Sequence, residues 1–350
     1  MRYESQITAL SWIPSEAIGG LLRAPFELGV THYDEPPPDV VGGSMVELEE
    51  LGAADRFRFA NVLRAWVDVG DDDTIIGCGY MGCGLIGSTE VRMAGLHHTF
   101  SACRLPDIQH RPLVADDGRS ACFVQTCGGR TGLPAPRRVR RKPFVQWDAP
   151  LAWTTLSLTL HHDGTCAFDL VGASRFPRHW IYDESGQLAR KSGMTDFKHW
   201  YRRSFGRHSP WGDEDSAAMV TAVETALERS LSAQIMHGTK PKIRKLRAGE
   251  TLTRQGDAGD ELYLVLDGVI RVECDGERLH ECGPGALLGE RAGLQGGRRT
   301  STLVAVTPCR VATTTASGFG RATLEELSMG HRREFEPGTA LRVEPTSRST

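Results

Sequence analysis

The chain has 350 residues, 40% hydrophobic and 24% charged, a balance that allows a sizeable core and, by length, two domains. A formal net charge of −3 is too near neutral to argue for a nucleic-acid or membrane surface. The opening MRYESQITALSWIPSEAIGG lacks a basic stretch ahead of an apolar run, no apolar run approaches the ~18 residues of a bilayer span, and the nine cysteines follow no disulfide spacing. Together these features read as a soluble, cytoplasmic protein with reduced thiols and no membrane contact.

The first 50 residues are mixed, with EPPPD (35–39) as a proline-stiffened connector. From Ala53 to Asp183 short β-rich runs alternate with turn clusters, and about ten such runs at regular spacing predict an antiparallel sandwich or barrel. The alternation is clearest in AWTTLSLTLHHDG, where Thr154, Leu156, Leu158 and Leu160 share one face and Asp163-Gly164 makes a hairpin turn.

Several motifs inside this region carry weaker signals. GCGYMG (77–82) matches the dinucleotide fingerprint G-x-G-x-x-G, but GLIGSTEVRM after it reads as loop and strand rather than the helix that the fingerprint requires. Cys78 and Cys83, with His97, His98 and Cys103 downstream, lack the tight paired spacing of a zinc site, so no metal is expected. His161-His162-Asp163 reads first as turn chemistry, and GGRTG (128–132) as a polar turn before an anion nest. The aromatic and basic cluster over 175–211 is expected to pack the sheet edge against the helix that follows, with a binding groove as the alternative. No catalytic motif emerges, which leans against an enzyme.

Residues 213–236, DEDSAAMVTAVETALERSLSAQIM, change character. Met219, Val220, Val223, Ala226, Leu227, Leu231 and Ile235 recur at helical spacing, acids cluster at the start, and Gly238 and Pro241 provide a stop. This predicts an amphipathic linking helix over 213–238. From Ile243 short strands return, punctuated by glycine turns at Gly249, Gly256–Asp260, Asp267-Gly268 and Gly283–Gly285, which reads as a small antiparallel barrel.

One piece of that barrel points to a ligand. In GALLGERAGLQGGRRTSTLVAV a strand breaks off at Gly289, makes a polar glycine-rich excursion, and re-enters the sheet at Thr302. Backbone N–H groups in such a loop face an anion. An arginine adds a fork of donors suited to phosphate, and an acid at the far end can accept from a sugar hydroxyl. Acid, arginine and amides together fit a ribose phosphate.

These residues resemble the cyclic-nucleotide-binding domain over about 243–335, through the RAGE turn, QGDAGDELYLVLDG, the GPG turn, and GE…RRTSTL at the spacing of the family's phosphate-binding cassette. The resemblance implies a jelly-roll barrel with cAMP or cGMP as a regulatory ligand. Glu290 would accept the ribose 2′-hydroxyl and Arg299 would pair the cyclic phosphate. Gly289, Arg291, Ala292, Thr300 and Ser301 complete the expected binding set. Arg298 is kept in that set because the doubled arginine leaves two candidates, of which spacing favours Arg299. Thr300-Ser301 stands where Ala-Ala is usual, and an empty barrel of the same fold is the alternative reading.

After Phe335 too few residues remain for a helix-turn-helix, so DNA binding is not expected. The resulting fold class is mainly β (α+β). A β-rich N-terminal domain of unknown function spans 1–212, the linking helix 213–238, the cyclic-nucleotide-binding domain 239–335 and a disordered tail 336–350. The expected function is a cyclic-nucleotide sensor regulating the N-terminal domain. The alternatives are a nucleotide-gated enzyme and a nucleotide-dependent interaction module, with contact to a second copy or a protein partner through the N-terminal domain.

Overall fold

Alternating apolar residues and tight turns build the first half of the molecule as antiparallel sheets. The computed structural model describes residues 1–18, 23–29, 32–93, 96–133, 135–138, 140–142, 144–206, 208–212, 219–221, 223–238 and 241–333. The side chains of His97 and His98, residues 213–218 and the tail expected over 336–350 lie outside that description.

Strand Arg2–Trp12 pairs with Phe59–Val69 on one side and, through its second half, with Arg178–Tyr182 on the other. These strands centre a seven-stranded sheet that continues through Leu188–Ser192 and Val220–Thr221 at one edge and Ile75–Tyr80 and Cys83–Ile86 at the other. A six-stranded sheet faces it, led by Cys166–Ala173, Leu151–His161 and Ser120–Arg130. Ile7, Leu63, Ala65 and Val67 of the first sheet meet Phe123, Leu156, Leu158 and Leu160 of the second in one fully buried core. This is a β-sandwich, and the predicted alternation in 153–160 is what places the leucines inside.

The weaker motifs resolve as framework. GCGYMG runs along strand Ile75–Tyr80 into a turn, and Cys83–Ile86 returns to the same partner strand, so the helix a dinucleotide needs does not follow. Gly82 is required there because a Cβ would overlap the Val62 carbonyl. GGRTG is not a turn at its start: Gly128–Arg130 are the last residues of strand Ser120–Arg130. Asp163 accepts from Thr165 N at 2.9 Å and Thr165 Oγ1 at 2.7 Å, the hydrogen bonds of a turn. Among the described residues no group of three His, Cys, Asp or Glu is placed to hold a metal.

Two expectations are corrected. Of the aromatics of 175–211, Trp180 meets the linking helix, with the Arg229 guanidinium carbon 5.1 Å from its ring centroid, but the main cluster does not. Phe176, Phe197 and Trp200 bury themselves against Ile13, Ala17 and Ile18, at the end of the first strand. Asp196 starts the short helix Phe197–Arg203 that carries two of them, accepting from His199 N at 2.9 Å.

The linking helix, in turn, begins at Ala226 and runs to Gly238. Val220–Thr221 instead forms the edge strand of the seven-stranded sheet. The start is set by a capping box: Thr225 Oγ1 accepts from Glu228 N at 3.1 Å, and Glu228 Oε2 accepts from Thr225 N at 2.8 Å.

The second half is a barrel of two four-stranded sheets. Lys242–Leu246, Cys309–Thr315, Glu261–Asp267 and Leu287–Leu288 form one; Thr251–Thr253, Thr302–Ala305, Ile270–Cys274 and Glu277–Cys282 form the other. Glu261–Asp267 is nearly all apolar because both of its faces are covered. Tyr263 and Val265 point into the barrel core, while Leu264 and Leu266 lie under Leu231 and Ile235 of the linking helix and Leu327 of the C-terminal helix Arg321–Arg333. No helix among the described residues is long and apolar enough to cross a membrane.

Candidate functional site

Seven of the eight residues singled out in the cassette line one cavity of about 300 Å³: Gly289, Glu290, Arg291, Ala292, Arg299, Thr300 and Ser301. A five-residue helix, Glu290–Leu294, holds the acid end of the cavity, and the approach to strand Thr302–Ala305 holds the arginine end. Gly289 starts the helix at φ 95°, a conformation that glycine adopts freely. A Cβ there would stand 2.7 Å from Glu261 O and 2.9 Å from Arg299 Nη1, so any other residue would push against the arginine.

Arg299 is 5% exposed. Its backbone is gripped by the Gln255–Asp260 turn: Arg299 N donates to Asp257 O at 2.9 Å, and Gly256 N donates to Arg299 O at 2.8 Å. Nη1 donates to Glu261 O at 2.7 Å, and Nη2 donates to Glu261 Oε2 at 3.1 Å and to Tyr263 Oη at 3.0 Å. The guanidinium carbon lies 5.0 Å from the Tyr263 ring centroid. Burial, and then the hydrogen bond to Glu261, pushes the Tyr263 phenol up to about 12, so it stays a neutral donor to that carboxylate.

Glu290, also 5% exposed, opens the cassette helix, with Arg291 Nε 3.8 Å from its Oε1. Val272, Leu279, Leu288 and Leu303 supply an apolar wall, and Thr253, Cys274 and His280 add polar atoms. A cavity of this size can hold a small ligand with an anionic end, hydroxyls and a flat apolar portion.

Arg298 departs from the expected set. It is exposed, it donates through Nη1 to Gly256 O at 3.1 Å, and it does not line the cavity. The segment is extended there, bridging Ala258, and successive side chains of an extended segment point to opposite sides. That geometry resolves the doubled arginine in space.

Glu261 and Tyr263, which hold Arg299 in place, were missed by motif reading. The same alternation in E-L-Y puts them on one face of their strand and was the available signal.

Among the described side chains, His161 and His179 do not gather. His161 sits beside the hairpin tip, whereas His179 is 0% exposed between Ser11 Oγ, 2.7 Å from Nδ1, and Ser174 O, 2.8 Å from Nε2. Burial lowers its pKa to about 4, leaving a neutral ring inside the sandwich.

Comparison with known proteins places this geometry. Residues 243–325 match the family model described as the cyclic nucleotide-binding domain. A cAMP-dependent protein kinase regulatory subunit of Yarrowia lipolytica is 38% identical over 66 residues, covering 19% of this chain and 18% of that protein. The human potassium/sodium hyperpolarization-activated cyclic nucleotide-gated channel 2 is 34% identical over 98 residues, 28% of this chain and 11% of the channel. A cGMP-dependent protein kinase of Plasmodium berghei is 39% identical over 69 residues, 19% of this chain and 8% of the kinase. The chain therefore spans less than a fifth of the length of each of these relatives.

Among solved structures, the catabolite activator protein of Thermus thermophilus shares 26% identity over 31% of this chain and 50% of its own, with a TM-score of 0.23. The structure titled Sp-2Cl-cAMPS bound to PKAR CBD2 shares 24% over 31% of this chain and 71% of its own, with a TM-score of 0.26. The cavity, its acid and its arginine all fall inside the matched stretch, and residues 243–325 are a cyclic nucleotide-binding domain.

Proposed function

We propose that the protein is a cyclic-nucleotide sensor, with cAMP or cGMP as ligand, whose C-terminal domain regulates the N-terminal sandwich. The observation that carries the reading is the pairing of two buried, oppositely charged side chains, Glu290 and Arg299, on one cavity of about 300 Å³. Arg299 serves the cyclic phosphate with charge-assisted donors, and Glu290 accepts from the ribose hydroxyl. The base lies along the wall of Val272, Leu279 and Leu303. The names of the relatives, two cyclic-nucleotide-dependent kinase proteins and a cyclic nucleotide-gated channel, support both the ligand class and a regulatory output.

Titration calorimetry of the intact chain with cAMP and with cGMP tests the reading. Saturable one-site binding of at least one of them is expected. Binding of neither, together with no thermal stabilisation by either, would overturn it.

A further inference from the structure

The segment that delivers Gly289 and Glu290 to the cavity is held from behind by the N-terminal half. It begins in the Gly283-Pro284-Gly285 turn. Lys191, on strand Leu188–Ser192 of the seven-stranded sheet, is 0% exposed and donates from Nζ to Pro284 O at 2.8 Å. The same ammonium is ion-paired with Glu224. Glu224 also accepts from Arg178 Nη1 at 3.2 Å, and that nitrogen donates to Glu16 Oε1 at 2.7 Å.

Both glycines of the turn permit this closeness. A Cβ on Gly285 would stand 2.8 Å from Glu224 Oε1, and one on Gly283 would overlap the Thr221 side chain. Burial alone would push the Glu224 carboxyl up; Lys191 and Arg178 beside it outweigh burial and hold it below its ordinary value, so it stays a carboxylate.

A second tie lies one helical turn away. Glu228 is 1% exposed and splits its two oxygens between the two halves of this contact. Oε2 caps the linking helix at Thr225 N, and Oε1 accepts from Leu287 N at 2.9 Å. Leu287 lies three residues before Glu290, on the short strand that runs into the cassette. Neither Glu228 nor Lys191 lines the cavity.

We infer that Lys191, Glu224 and Glu228 are positioning residues that set where the Gly283–Glu290 segment sits, so that the N-terminal sandwich tunes nucleotide affinity and bound nucleotide acts back on the sheet through the same contacts. This rests on the cyclic-nucleotide reading of the cavity. Coupling of this kind is one shared free energy, so an effect in one direction requires the reverse effect. A closely packed interface transmits small displacements because it is not continuously deformable.

The experiment titrates the intact wild type, Glu228→Ala, Glu228→Gln and Lys191→Met with cAMP and cGMP, and follows backbone hydrogen exchange over 178–192 with and without saturating nucleotide. Glu228→Ala removes the acceptor for Leu287 N and should weaken affinity by about tenfold. Glu228→Gln keeps one oxygen, which can accept that bond while the cap at Thr225 N is given up, and should stay within about threefold of wild type. Nucleotide should change exchange over 178–192 in the wild type, and Lys191→Met should abolish that response.

If the wild type binds nucleotide but both Glu228→Ala and Lys191→Met bind as tightly as it does, or exchange over 178–192 is unmoved, the inference is overturned while the binding site stands. If the wild type binds no cyclic nucleotide, the reading of the cavity fails and the inference falls with it. Should Lys191→Met not fold, the alanine and glutamine variants of Glu228 decide the matter, because loss of charge is common to both and loss of the hydrogen bond is not.

Discussion

Arg178 and Arg299 are both buried arginines, 1% and 5% exposed, and the molecule uses them oppositely. Arg178 shares Nη1 between Glu16 and Glu224, whose side chains are 9% and 0% exposed, and its guanidinium carbon lies 5.4 Å from the Trp12 ring centroid. Its charge is answered inside the fold by those two carboxylates, through one of its three nitrogens. Among the described residues Arg299 has a single carboxylate partner, Glu261, and that side chain is 46% exposed. The side chain also borders the cavity. A buried cation matched by two buried carboxylates is a strut, while one matched by a single half-solvated carboxylate at a cavity wall retains capacity for an anion. Buried charge alone does not mark a site; incomplete internal pairing beside a cavity does.

Substitution should separate the two arginines cleanly. Arg178→Met leaves Glu16 and Glu224 with Lys191 as the one remaining cation of that cluster, and breaking a buried pair of this kind costs about 3–5 kcal/mol, read as a lowered urea midpoint. A loss below about 1 kcal/mol would collapse the distinction. Arg299→Ala should weaken nucleotide binding by about 2–5 kcal/mol in calorimetry. It should leave the melting temperature little changed, because Glu261 remains hydrated once its partner is gone. Arg298→Ala serves as the control and should bind within about twofold of wild type.

Acid sharpens the comparison, since the two halves carry buried groups with opposite slopes. His179, in the sandwich, has its pKa lowered to about 4 by burial. Between about 4 and 6.5 the unfolded chain binds the proton and the folded one does not, so this contribution is complete above about 6.5 and is lost on acidification, by about 3 kcal/mol. Asp267, in the barrel, has its pKa raised to about 6 by burial and then by the charge of Asp196, while Thr195 N and Gly268 N donate to it. Here the folded state holds the proton more tightly, so stability rises as pH falls from about 7 toward 4, by about 2–3 kcal/mol. Urea unfolding from pH 8 to 4.5 checks both. His179→Gln should remove an acid loss, and Asp267→Asn should remove an acid gain and raise stability at pH 8.

What was legible in the sequence follows from range. Strand alternation in 153–160, the glycine turns of the barrel and the spacing of Glu290 to Arg299 are local patterns, and each could be read before any coordinates. The interface was invisible because its partners are remote: Arg178 reaches Glu16 across 162 residues and Glu224 across 46. No periodicity records such a pair. The orientation of Arg298 away from the cavity was a matter of one residue in an extended segment, legible only once the register was known. The start of the linking helix was misread for a different reason. Met219, Val220 and Val223 sit at helical spacing with Ala226, Leu227 and Leu231, but the sheet edge offered Val220-Thr221 a ladder, and β-branched residues suit one.

The smallest effect discriminates best between those two readings of the linker. Thr225 is the residue before the helix, and its hydroxyl and amide are both engaged with Glu228. As an N-cap, Thr225→Ala forfeits one half of the capping box and should destabilise the protein by about 1 kcal/mol. In the interior of a helix running from 213, the same substitution would replace a β-branched residue with the best helix former and stabilise by about half that amount. The sign of the change in thermal or urea stability is therefore decisive, even though its size is modest. Nucleotide affinity should change little, because the Glu228 carboxylate is bonded to the backbone amides of Thr225 and Leu287, and the substitution leaves both in place. A stabilised variant would return the linker to a continuous helix, whereas a destabilised one keeps its start at the Thr225 cap.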